Sequence, residues 1–229
     1  MKADGKGRIR RFVRINGKRS GRVVLRELLG RDAQALAAAA NDPKVAASVA
    51  GAGKFPHPYT VGNAKSFIRQ AGIEAADGSA YHLGVILKGS KKLIGMTMIN
   101  GLNGAGGHEI PGRIAMIGTG LARSSERGGE IGYWLNSAYW GRGYASEAVG
   151  MLIAFAFRKL GLDYIYGITF SCNKRSIMLL RRHGFMKGPD MQLLPKTEGK
   201  KGMAAVYILR EKWLRQAAVP LKQGKEAAF

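Results

Sequence analysis

The sequence predicts a mixed α/β chain, with a mixed sheet flanked by helices. Three observations predict it. Two β-rich runs, Tyr81 to Lys88 and Leu93 to Asn100, are joined by the tight polar turn Gly89-Ser90-Lys91-Lys92, which makes an antiparallel hairpin. From Gly129 to Phe185 strands and helices alternate, which places other strands in helix-linked units. Hydrophobic residues make up 46% of the 229, and no apolar run approaches the ~20 residues that cross a bilayer, so no membrane partner is expected.

Residues 1–20 are Gly- and Arg-rich without periodicity and read as a basic, irregular arm before a domain spanning 21–213. Arg22 to Arg26 is a first strand, and Gly30-Arg31-Asp32 turns the chain with Asp32 as a helix N-cap. Ala33 to Asn41 is helical, and Asp42-Pro43 starts a short second helix with Pro in its first turn. Gly51 to Pro58 is a Gly/Pro loop placed to line an acceptor site. Thr60 caps a helix from Val61 to about Ala71 with Phe67 and Ile68 on its buried face. After the hairpin, Asn103 to Gly129 is a long Gly-rich insertion with a candidate short strand at 114–117.

Gly129 to Leu135 is a strand and Asn136 to Gly143 a turn. Tyr144 to Leu160 is a helix whose apolar residues recur on one face, ended by Gly161 in a left-handed conformation. Tyr164 to Phe170 is a strand, Asn173 to Gly184 a helix, and Phe185 begins a further strand. Residues 188–201 read as a polar excursion, Met203 to Leu209 as the last strand, and 214–229 as a basic tail. Single Cys172 excludes an internal disulfide and fits a reducing cytoplasm.

The charge is uneven as well as large. Lys and Arg number 37 against 15 acids, a net +22, with nine basic residues in 1–22 and five in 174–187. Such a surface favours anionic partners, among them nucleotides, RNA and ribosomes, or simply keeps the chain in solution. The turn Trp140-Gly141-Arg142-Gly143-Tyr144-Ala145 offers one such partner a seat. Its glycines allow positive φ and bare backbone, and the amides opening the next helix lack intrahelical partners. A pyrophosphate fits there, and so does an ordinary strand-to-helix loop.

The residues around the turn carry a resemblance. Glu130-Ile131-Gly132-Tyr133 with Leu135, then Tyr139 to Ala148, then Asn173, Ser176, Leu180, Arg182, Gly184 and Phe185 resemble the GNAT superfamily of N-acyltransferases. The RimJ/RimL-like branch, which acetylates protein N-termini, is the most similar. The resemblance implies a largely antiparallel sheet in which two parallel strands, Glu130–Leu135 and Tyr164–Phe170, splay apart around acetyl-CoA. It implies backbone contacts to pantetheine near Trp134, Leu135 and Asn136, with Asn173 beside it. The pyrophosphate would sit on Trp140, Gly141, Arg142, Gly143, Tyr144 and Ala145. Lys174, Arg175 or Arg181 would then meet the adenosine 3′-phosphate.

The same resemblance implies direct transfer in a ternary complex to an amine acceptor, a protein N-terminal α-amine first of all. A small-molecule amine is the alternative, and a non-catalytic RNA- or ribosome-binding module a third. Glu130 is the candidate base, or else a strand-edge charge paired with an arginine. Ser176 is the candidate proton donor near the CoA sulfur, or a polar positioning residue, and Asn173 also suits a helix N-cap. Tyr133 and Trp134 line the thioester channel or pack the core, and Tyr164 and Tyr166 read as packing residues. His57, His82, His108 and His183 show no metal spacing. A homodimer is expected from the branch alone.

Overall fold

A computed structural model describes residues 13–16, 21–49, 55–102, 123, 125–193 and 202–212. The candidate strand at 114–117, the first half of the 51–58 loop, most of the 1–20 arm and all of the 214–229 tail lie outside them. The strands are β1 (Arg14–Asn16), β2 (Val23–Glu27), β3 (Tyr81–Leu87), β4 (Leu93–Asn100), β5 (Gly128–Leu135), β6 (Tyr164–Phe170), β7 (Met186–Leu193) and β8 (Gly202–Arg210). The helices are α1 (Ala33–Ala40), α2 (Pro43–Ser48), α3 (Val61–Asp77), α4 (Tyr144–Arg158) and α5 (Lys174–Arg182). The eight strands form one sheet in the order β1-β2-β3-β4-β5-β6-β8-β7. Every pairing is antiparallel except β5 with β6.

Alternation along each strand sends its side chains to two opposite cores. On one face Ile99, Ile131, Leu135 and Ile165 pack with Val149, Leu152 and Ala156 of α4 and Leu180 of α5. On the other Ile86, Met96 and Trp134 pack with Leu36 of α1 and Ile68 of α3. Helix α4 therefore lies on one side of the sheet and α1–α3 on the other. This division decides which side chains meet in the site.

Local chemistry sets the helix ends. Thr60 Oγ1 accepts from the Asn63 amide, and the Asn63 side chain returns the favour to the Thr60 amide, a capping box. Asp42 caps α2 through the Lys44 amide and also accepts from the Ser137 amide at 2.7 Å. Burial would push its carboxyl up, but those amide donors outweigh it and hold it low. Asp42 thereby ties α2 to the turn that leads into the anion site.

Four expectations are corrected. The arm contains β1, three residues paired with Asn16 against Val24. Helix α3 runs past Gly72 to Asp77, because Ala71 and Ala75 go on burying its inner face and the left-handed cap comes only at Gly78, φ +77°. Asp32 does not cap α1 with its side chain. Its carboxylate takes the Arg26 guanidinium at 2.7 and 2.8 Å and the Leu29 amide at 2.7 Å. Residues 188–193 belong to β7 rather than to an excursion. The register shifts between Lys187 and Asp190, so the bulge takes up Pro189, which has no N–H for the ladder.

Candidate active site

Strands β5 and β6 pair only through Gly128↔Tyr164, Gly129↔Ile165 and Glu130↔Tyr166. Beyond Glu130 they separate. Strand β5 stays zipped to β4, where Asn136 N–H donates to the Ile94 carbonyl. The alternation of an antiparallel ladder then turns the N–H and C=O of Tyr133 and Leu135 away from β4, into the gap facing β6. The Leu135 carbonyl is already met by the Trp140 indole N–H at 2.7 Å.

At the open end of the gap the chain turns through Gly141 (φ +74°) and Gly143 (φ +79°) into α4. No side chain caps this helix, and the Glu147 amide is the first of its ladder, bonding the Gly143 carbonyl. A Cβ on Gly141 would meet nothing within 4 Å. The result is a bare, uncapped cluster of amides at the positive end of a helix dipole, the donor set a pyrophosphate requires. Arg142 is exposed on the turn. Ala145 is half-buried against the α4 core.

Arg22, 121 residues before Gly143 and unmarked in its own stretch, joins the turn. Its guanidinium stacks on the Tyr144 ring at 4.7 Å and stands 3.1 Å from where a Gly143 Cβ would lie. Glu147 holds it there, accepting from the backbone amides of Arg22 and Val23 at 2.7 and 3.1 Å. A second cation approaches from α5, where Arg175 lies 4.9 Å over the Trp140 ring. Lys174 and Arg181, from the same basic cluster, are exposed on α5. His183, at the end of α5, meets Ser146 of the first α4 turn at 3.1 Å, and burial lowers its pKa.

Deeper in the gap, Tyr133 reaches from β5 to α5. Its hydroxyl lies 2.8 Å from Ser176 Oγ and 3.4 Å from the Ser176 carbonyl. Burial pushes the Tyr133 phenol up to about 12, against a smaller opposing effect of the Ser176 bond. Asn173 caps α5, accepting from the Ser176 amide, and its amide nitrogen reaches the Ser48 carbonyl of α2 at 3.4 Å. Cys172 beside it is exposed. Asn136 is equally committed. It donates to the Ala39 carbonyl and accepts from the Ala138 amide.

Glu130 sits at the vertex where the strands part. Its side chain is on the α1–α3 face, opposite Tyr133 and Ser176, because residues 130 and 133 differ by an odd number along one strand. Among the described residues no cation or hydrogen-bond donor meets its carboxylate. Burial alone raises its pKa to about 7. Trp134 shares that face and packs on Phe55 at 5.9 Å, a core contact.

The site thus combines a splayed pair of parallel strands, an uncapped helix after a Gly-Arg-Gly turn, and a half-buried carboxylate at the vertex. The acetyltransferase (GNAT) domain model matches residues 22–186. The chain belongs to the GNAT family. It is an N-acetyltransferase whose cofactor is acetyl-CoA. N-acetyltransferase p20 of Bacillus licheniformis is 28% identical over 182 residues, covering 78% of this chain and 87% of its own. RimJ of Mycobacterium smegmatis, solved with a CoA disulfide, superposes with a TM-score of 0.67 at 18% identity, over 89% of this chain and 88% of its own. RimL, the ribosomal L7/L12 α-N-protein acetyltransferase solved with coenzyme A, gives 0.65 at 16%, over 83% and 95%. Those two likenesses establish the GNAT fold. The turn at 141–145 fits the GNAT cofactor, since its bare amides and Arg22 supply donors and its glycines leave the approach open.

Proposed function

We propose that this GNAT enzyme acetylates a protein N-terminal α-amine by direct transfer within a ternary complex. The observation that carries the proposal is the half-buried Glu130 carboxylate at the vertex where β5 and β6 part, with its pKa raised by burial to about 7. A base of that strength suits an α-amine, whose ordinary pKa is about 7.7–8.0, better than a lysine amine near 10.4. The fold shared with RimL and RimJ supports the same acceptor class, and the net charge of +22 supports work near an anionic ribosome.

Acetyl-CoA brings the thioester acyl group. The amides from Gly141 to Ala145, with Arg22 and Arg142, hold its phosphates. The backbone N–H groups of Tyr133 and Leu135 bind along the gap, and one of them stabilises the developing oxyanion. Glu130 takes a proton from the attacking amine. Ser176 stands across the gap as donor to the departing sulfur. A lone serine hydroxyl is a weak acid, and the Tyr133 hydroxyl at 2.8 Å stabilises the oxygen that gives up its proton.

An acetylation screen over N-terminal peptides, ribosomal proteins and small amines, read by thiol release, tests the acceptor. The proposal expects the highest kcat/KM for free N-terminal peptides; turnover confined to small amines contradicts it. Replacing Ser176 with Ala is expected to lower kcat by about 10- to 100-fold with acetyl-CoA affinity nearly unchanged. An unaltered kcat removes Ser176 from the chemistry.

A further inference from the structure

The α1–α3 face of the sheet carries a row of polar atoms that the fold does not satisfy. Asn100 of β4 is the cross-strand partner of Glu130, so their side chains leave the sheet on the same face with Cβ atoms about 5 Å apart. Asn100 Oδ1 is buried without a hydrogen-bond partner. His82 of β3 pairs with Met98, which places it on the same face, diagonally next to Asn100. The His82 side chain is only 9% exposed, and its Nδ1 has no partner either. Its Nε2 lies 2.7 Å from Glu74 of α3, and a carboxylate there fixes the proton on Nε2 and leaves a bare lone pair on Nδ1.

Nearly all buried polar groups in folded proteins are hydrogen-bonded, so neighbouring exceptions on one face call for a cause. Asn100 Oδ1 and His82 Nδ1 are buried acceptors that lack a donor, and the half-buried Glu130 carboxylate across from Asn100 adds a third acceptor. A primary ammonium carries three N–H donors and one positive charge. Glu74 and Glu130 put two carboxylates on this face, a local attraction for a cation in a chain of net charge +22. Between Glu130 and Trp134 the strand has Gly132, and the Met98 methyl fills the space, 2.5 Å from where a Gly132 Cβ would lie. An unbranched thioether can move aside for a ligand.

We propose that Glu130, Asn100 and His82 together form the acceptor-ammonium site, so that the amine enters from the α1–α3 face while the cofactor's phosphates lie at the start of α4. The proposal rests on the acetyl-transfer reading above and names the residues that receive its acceptor. Asn100 and His82 bind and orient; Glu130 alone takes the proton. In this arrangement the amine and Ser176 approach the gap from opposite faces of the sheet.

Methyl-labelled methionine resonances of the CoA-loaded enzyme report on the site through Met98. The probes are an alanyl-glycine amide with a free α-amine and its des-amino counterpart. The free amine is expected to shift the Met98 methyl saturably, and the des-amino compound to leave it in place. Replacing Asn100 with Leu should weaken that binding about tenfold, while Asn100→Asp, which keeps an acceptor oxygen, preserves it. If Asn100→Leu also loses acetyl-CoA affinity, His82→Phe provides the second reading, with the same weakening expected. Equal shifts from both compounds, or wild-type amine affinity in the variants, overturn the proposal. Thiol release measured in parallel separates the two readings. Acetylation with an unmoved Met98 methyl overturns this site alone, whereas neither shift nor release overturns both.

Discussion

Acetyl-CoA binding is expected to vanish when Gly143 is replaced by tryptophan, by at least about a hundredfold in affinity. Two effects act together. Gly143 has φ +79°, where any other residue is strained by about 1–2 kcal/mol. A Cβ there comes within 3.1 Å of the Arg22 guanidinium, and an indole beyond it covers the amides that open α4. The Arg22 side chain is 54% exposed and can give way, so the positive φ and the bulk of the indole carry the effect. Isothermal titration with acetyl-CoA, alongside a melting curve to show that the variant folds, checks the result. Binding retained in a folded variant removes the anion site from its place at 141–145.

The second large effect concerns Glu130. Replacing it with glutamine is expected to lower kcat by about 10²–10⁴-fold at pH 8. For the wild type, kcat/KM should rise with pH through about 7 as the carboxyl ionises, and the glutamine variant should lose that limb. Stability moves the opposite way. The folded pKa of about 7 lies above the ordinary 4.5, so the folded state binds this proton more tightly than the unfolded chain does. The group's favourable contribution is complete below pH 4.5 and is lost as pH rises through about 7. The glutamine variant should therefore be more stable than the wild type at pH 8, by at most roughly 3 kcal/mol, and equal to it near pH 4. Equal melting temperatures at pH 8 would contradict a desolvated carboxylate at this position. The trade of stability for a usable base is a common property of active sites.

The parts of this site that were legible in the sequence are those fixed by neighbours in the chain. Gly141, Gly143 and the start of α4 are a local device, readable from spacing and strengthened by resemblance. The Asn173–Ser176 cap is local as well, one helical turn long. What could not be read depends on register between distant segments. Tyr133 and Ser176 are 43 residues apart, and their contact requires the β5–β6 gap to hold α5 over it. Glu147 reaches Arg22 across 125 residues, so nothing in either local stretch marks Arg22 as a neighbour of the turn. His82, Asn100 and Glu130 share a face only because β3, β4 and β5 align in one register. A shift of one residue in any of them would send that side chain into the opposite core.

The fold divides in the same way. Helix-linked strands and the hairpin came through because hydrophobic period and turn residues are local. The second half of β7 did not, because Gly188-Pro189 reads as a break and only pairing with β8 carries the strand across it. Helix α3 outran Gly72 because Ala71 and Ala75 go on burying its inner face. In both places tertiary pairing overrode local preference.

Acceptor choice is tested most directly by a peptide carrying both a free α-amine and an internal lysine. After incubation with acetyl-CoA, fragment masses locate the acetyl group. Acetyl is expected on the N-terminal nitrogen, with the lysine unmodified at early times. Acetyl found first on the lysine, with the α-amine free, would contradict the proposed acceptor.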